Sequence, residues 1–137
     1  MFLTKEGDYG IRIIRALASG EMKTVDAICA CELIPGQYAY KILKKLERAG
    51  LVRSIRGRNG GYRLIKQLDK FNLYDIISAI DEQLFLNQCL KQDIECPRNN
   101  HDAPCAVHIE FEHLQKVLID EMQKKNIVQV MQNTPST

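Results

Sequence analysis

The sequence predicts a mainly α-helical chain with one small β-hairpin, and three observations carry that expectation. Apolar residues recur at helical spacing in five separate stretches of the 137-residue chain. Between the third and the fourth, two short alternating runs, "LVRSI" and "YRLIK", flank the glycine-bearing turn "RGRNGG". Positive charge gathers around that hairpin: residues 36–66 hold nine basic side chains against Glu47 alone, a net +8, whereas residues 1–35 carry −1 and residues 67–137 carry −5. The overall charge of +2 conceals this asymmetry, and the length fits one domain with an appended element.

The elements follow in order. "GDYGIRIIRALASG" places Tyr9, Ile13, Ile14 and Leu17 on one helical face, with Gly20 where a helix would stop. Thr24 can cap a short second helix through "VDAICAC", with Val25, Ile28 and Cys29 inward. Pro35 and Gly36 break the chain, and "QYAYKILKKLERAG" forms a third helix with Tyr38, Ile42, Leu46 and Ala49 on one face and Gly50 at its end. Two short helices joined by a tight turn and followed by a basic hairpin read as a winged helix-turn-helix. "NLYDIISAIDE" adds a helix capped by Asn72, with Leu73, Ile76, Ile77 and Ile80 inward. "AVHIEFEHLQKVLIDEMQKK" then repeats Val107, Phe111, Leu114, Leu118 and Met122, a coiled-coil-like seam that favours pairing with a second copy. The ending "NIVQVMQNTPST" is expected to fray after Met131. The organisation expected is residues 1–82 as the DNA-binding domain, 83–106 as a cysteine-containing loop, and 107–132 as dimerisation helix and C-terminal segment.

A basic patch suits a polyanion, though charge alone equally describes a solvated helix face. The helix-turn-helix shifts the balance toward double-stranded DNA. The second helix of such a unit enters the major groove with its N-terminal residues toward base edges, here Gln37, Tyr38, Tyr40 and Lys41. Lys44, Lys45 and Arg48 lie farther along, where phosphates pass, and Arg56 and Arg58 on the hairpin can reach a neighbouring minor groove. An enzyme is not expected: no paired carboxylates, nucleophile elbow or phosphate-binding glycine loop occurs, and "GRNGG" lies between strands rather than ahead of a helix. The N-terminal stretch lacks a signal-peptide pattern and no apolar run reaches membrane-spanning length, so a cytoplasmic protein without membrane association is expected.

Five cysteines in a reducing compartment point to metal or redox chemistry rather than disulfides. Cys89, Cys96 and Cys105 are separated by six and then eight residues in a loop stiffened by Pro97 and Pro104. Thiolates hold zinc or iron-sulfur clusters, and these gaps do not fit the short C-x-x-C knuckle of a structural zinc site. Cys105 would open the long helix, where free amides favour a thiolate, and His108 follows three residues later on the same face. His101, Asp102 and His113 are weaker candidates. Cys29 reads as core and Cys31 as a turn residue.

"LTKEGDYGIR", "KILKKLERAGLVRSIRGRNGGYRL", "DIISAIDE" and the three-cysteine loop beyond it together resemble the bacterial winged-helix regulators typified by IscR and NsrR. The resemblance implies a homodimeric transcription factor, often a repressor, with a long dimerisation helix and an iron-sulfur cluster near its base. For the fourth ligand, His108 resembles the IscR pattern, while Asp8 resembles the carboxylate that NsrR proteins take from the partner subunit. The loop gaps are longer and less even than is usual for those regulators, which leaves 2Fe-2S and 4Fe-4S both open. The alternative keeps the winged helix and uses the cysteines as thiol redox sensors or a zinc clasp.

Overall fold

The computed structural model describes residues 3–58, 60–81 and 84–132. It confirms the mainly helical architecture with one two-stranded antiparallel hairpin. Helix α1 (Lys5–Ala16) begins earlier than its apolar face suggests, because the Thr4 hydroxyl accepts from Gly7 N at 3.1 Å. It also ends before Gly20, which takes positive φ in the turn that follows. Thr24 caps α2 (Val25–Glu32) as expected, accepting from Ala27 N at 3.1 Å. That helix closes on Leu33 in the left-handed region at φ 56°, a conformation usually left to glycine. Helix α3 (Gly36–Arg48) starts at Pro35, whose fixed φ suits a helix entry, and terminates before Gly50 at φ 77°.

Ala39, Ile42, Leu43 and Leu46 are buried on α3, so its inward face is centred slightly away from the expected line. Ala49 is exposed and Tyr38 is only half-buried. Strands β1 (Val52–Ile55) and β2 (Gly61–Leu64) pair from Val52 opposite Leu64 to Ile55 opposite Gly61. The outer side of β2 is paired too: Lys23 N donates to Tyr62 O and Tyr62 N to Lys23 O, both at 2.9 Å. This is why Gly61 is a glycine, since a Cβ there would lie 2.3 Å from the Lys23 carbonyl oxygen.

Helix α4 (Leu73–Ile80) carries the expected Asn72 cap, completed into a capping box by Asp75. It lies against α1 so closely that a Cβ on Gly10 would fall 1.9 Å from Ile80 Cδ1. Ile13, Ile14, Leu17, Ile28, Ile42, Leu43, Leu46, Phe71 and Ile76 fill the space between α1, α2, α3 and α4. Burial of these side chains, at about 1.5–3 kcal/mol each, is the main term holding the domain together.

Helix α5 (Ala106–Lys124) has no buried residue. Beyond it the sequence reading missed an element: Asn126 and Gln129 cap one another reciprocally, and α6 (Ile127–Gln132) returns to the segment just ahead of α4. Ile127 is fully buried there, and its N–H donates to Phe71 O at 3.0 Å. The expected fraying after Met131 falls mostly on residues 133–137, outside the described set. No helix among the described residues is long and apolar enough to cross a membrane.

Candidate DNA interface and cysteine loop

Helix α3 presents one row to solvent. Gln37, Lys41, Lys44 and Arg48 succeed one another at three- and four-residue steps opposite the buried face, and all four are exposed. Tyr40 is 56% exposed and flanks this row on the side of the hairpin, where it shares a cleft of about 270 Å³ with Thr24, Ser54 and Tyr62. Burial pushes the Tyr62 phenol up, with Glu47 and Tyr40 adding to the effect. Arg56 and Arg58 are exposed at the hairpin tip, beside Gly57 at φ 123°, so the wing's turn depends on a residue without a Cβ. Tyr38 instead turns inward to Tyr9, with ring centroids 5.7 Å apart, and the Arg12 guanidinium lies over the Tyr9 ring at 5.6 Å from its centroid.

Two of the lysines on α3 have partners that local spacing could not reveal. Lys45, expected beside phosphates, donates to Ile80 O at 2.9 Å and lies 3.5 Å from Glu6 Oε2, bridging α3 to the end of α4. Lys41 pairs with the other oxygen of the same carboxylate at 3.0 Å. The hydrogen bond from Lys41, with Lys45 behind it, holds the Glu6 carboxyl below the usual carboxylate range against the opposing effect of burial. A second clasp joins α1 to α2: Arg15 donates from Nε and Nη2 to the two oxygens of buried Glu32 at 2.9 and 2.5 Å, and Arg12 donates to Glu32 O at 3.2 Å. Neither Glu6 nor Glu32 stood out in the sequence, because both partners lie far along the chain.

The loop between α4 and α5 forms an open cleft of about 740 Å³, lined by Cys89, Cys96, Asn99, His108 and Glu112 among others. Thus two of the three expected thiols and the expected imidazole line the same cleft. Cys105 stands at the N-cap of α5, its N–H taken by Asn99 Oδ1 at 2.9 Å, and is not among the lining residues. All three loop thiols are free and half-buried, and Cys89 Sγ accepts from Asn87 Nδ2 at 3.4 Å. Among the described residues no group of three potential ligands is gathered at binding separation.

The donor set nevertheless fits a metal group at one defined atom. His108 Nε2 donates to Glu112 Oε1 at 3.1 Å, an assignment that leaves Nδ1 with its lone pair. That Nδ1 is buried and has no partner among the described residues. A carboxylate behind one ring nitrogen and a vacant lone pair on the other is the arrangement of a metal-binding histidine. Asp8, the other candidate, lies on α1 and pairs with Arg12 at 2.9 Å. His101, Asp102 and His113 are exposed. Cys29 packs beside the core as expected, and burial raises its thiol; Cys31 is exposed in the last turn of α2 rather than in the turn beyond it.

Comparison with known proteins agrees with this architecture. The Rrf2 family, described as "Iron-dependent Transcriptional regulator", matches residues 3–133. The protein aau3 of Rhizobium meliloti is 32% identical over 132 residues, covering 90% of this chain and 86% of that protein. An HTH-type transcriptional regulator of Neisseria meningitidis serogroup A is 35% identical over 124 residues, covering 88% and 80%. Among solved structures, the oxidised form of CymR from Staphylococcus aureus superposes with a TM-score of 0.76 at 19% identity, over 99% of this chain and 100% of that one. IscR of T. potens gives 0.72 at 19% identity, over 100% and 94%. At these identities the structures speak for the fold, while the family match speaks for the function. The chain belongs to the Rrf2 family of DNA-binding transcriptional regulators, and is not an enzyme.

Proposed function

We propose that this regulator acts as a cytoplasmic homodimer whose operator affinity is set by an iron-sulfur cluster, 2Fe-2S or 4Fe-4S, held by Cys89, Cys96, Cys105 and His108. Asp8 is the other candidate for the fourth position. The observation that carries the reading is the unpartnered, buried Nδ1 of His108, backed by Glu112 in a cleft that Cys89 and Cys96 also line. When bound, such a group supplies one-electron redox chemistry and reactivity toward oxidants or nitric oxide. The chain's own part is to position donors: Glu112 orients the imidazole, Asn99 fixes the Cys105 backbone, and the start of α5 carries both Cys105 and His108. Occupancy would order the loop and so bias the helix that follows it.

Anaerobic purification followed by an absorption spectrum and by iron, sulfide and zinc analysis tests this. Wild type is expected to be brown with matched iron and sulfide. Cys89→Ala, Cys96→Ala and Cys105→Ala each lose the colour, while His108→Ala against Asp8→Ala identifies the fourth donor. Colourless protein holding zinc or no metal would instead support direct thiol sensing, a reading favoured by the free, half-buried state of the three loop thiols.

The homodimer rests on α5, a helix about 28 Å long with Val107 58%, Leu114 43% and Leu118 37% exposed on one seam. Phe111 and Met122, on the same seam, are half-buried. A helix with so much apolar surface outside the core is stable when a partner covers it. Leu114→Asp with Leu118→Asp is expected to convert dimer to monomer in sedimentation velocity and to weaken operator binding at least about tenfold, since two half-sites then bind independently. A double variant that sediments as wild type would rule this interface out.

A further inference from the structure

Glu6 has no place in the readings above, yet its carboxylate touches two lysines of the DNA-reading helix from outside that helix. Lys41 stands in the outward row with Gln37, Lys44 and Arg48, its side chain 60% exposed, and its ammonium lies 3.0 Å from Glu6 Oε1. Lys45, at 29% exposure, is held by Glu6 Oε2 and by Ile80 O. Glu6 itself is fixed in the first turn of α1, whose free amides favour an acidic residue.

We propose that Glu6 is a specificity-determining residue that occupies Lys41 with a built-in substitute for a DNA phosphate. A lysine that is free in solution releases condensed counterions whenever it meets any phosphate, and so binds all sequences alike. Lys41 must first leave a carboxylate already in place. Loosely docked, non-cognate DNA brings no phosphate to one fixed position and gains little by displacing Glu6. A duplex seated in register presents a phosphate or base edge to Lys41 at each encounter and completes the exchange. Glu6 therefore suppresses non-specific affinity more than specific affinity. The inference rests on α3 being the DNA-reading helix.

The test is fluorescence anisotropy of the full-length protein on a labelled mixed-sequence duplex, titrated across about 50–200 mM salt. Glu6→Gln is expected to tighten binding about 3- to 10-fold at low salt and to steepen the log–log salt dependence by about 0.9 per protomer. Glu6→Asp retains wild-type behaviour. Lys41→Gln alone leaves the slope nearly unchanged, and in the Glu6→Gln, Lys41→Gln double variant the gain disappears. Melting temperatures recorded in parallel separate this from a purely structural role, which would lower the melting temperature without steepening the slope. The proposal is overturned if Glu6→Gln leaves the slope as in wild type, or if Lys41→Gln lowers it as much as Lys44→Gln does. A protein in which Lys44→Gln also has no effect would overturn the assignment of α3 itself, a distinguishable failure.

Discussion

Phe71→Ala is expected to destabilise the protein by about 3–5 kcal/mol, read as a lowered urea midpoint. Phe71 is 2% exposed at the junction of the hairpin, α4 and α6, so truncation opens a cavity that several rigid elements cannot collapse to fill. Its position also matters through the backbone. The Phe71 carbonyl receives Ile127 N, and the adjoining Asn72 bridges Asn126, so the same residue seats the end of the C-terminal segment. With typical domain stability of about 5–15 kcal/mol, such a loss is a large fraction of the total. Limited proteolysis should then cut early between α5 and α6, near Lys125. A change below about 1 kcal/mol would mean that the packing at this junction is far looser than the structure shows.

The combined change Lys44→Gln, Arg48→Gln and Arg56→Gln is expected to weaken DNA binding about 100-fold or more at moderate salt and to reduce the salt slope by about 0.9 for each phosphate no longer neutralised. All three side chains are exposed, two on the outward row of α3 and one on the wing, and none is ion-paired among the described residues. They are thus free to release counterions, unlike Lys41 and Lys45. Circular dichroism should be unchanged, since none of the three belongs to the core. Anisotropy on a mixed-sequence duplex gives the answer, and an unaltered slope would remove this surface as the site where phosphates bind.

What the sequence made legible was local. Thr24 and Asn72 announced their helices because a cap and the amides it serves lie within one turn, and the paired runs around "RGRNGG" announced the hairpin for the same reason. The seam on α5 was visible as periodicity. Long-range features were not. Glu6 meets lysines 35 and 39 residues away, and Arg15 meets Glu32 from 17 residues away. Helix α6 was hidden because its six residues are too few for a period, and it is held by docking onto Phe71 rather than by its own pattern. The cysteine loop was recognisable by composition, yet its irregular backbone gave no means of deducing which of its thiols would line the cleft.

The double pairing of β2 has a consequence in time. Lys23 and Tyr62 exchange two hydrogen bonds, so the hairpin is stitched on its far side to the segment that joins α1 and α2. A wing attached by its base alone would flutter on the nanosecond scale of a loose loop. This one can part from the body only by opening that stitch, a cooperative event in which wing and linker unzip as one unit. The tip that carries Arg56 and Arg58 is therefore an arm whose sway is set by the lifetime of two backbone hydrogen bonds.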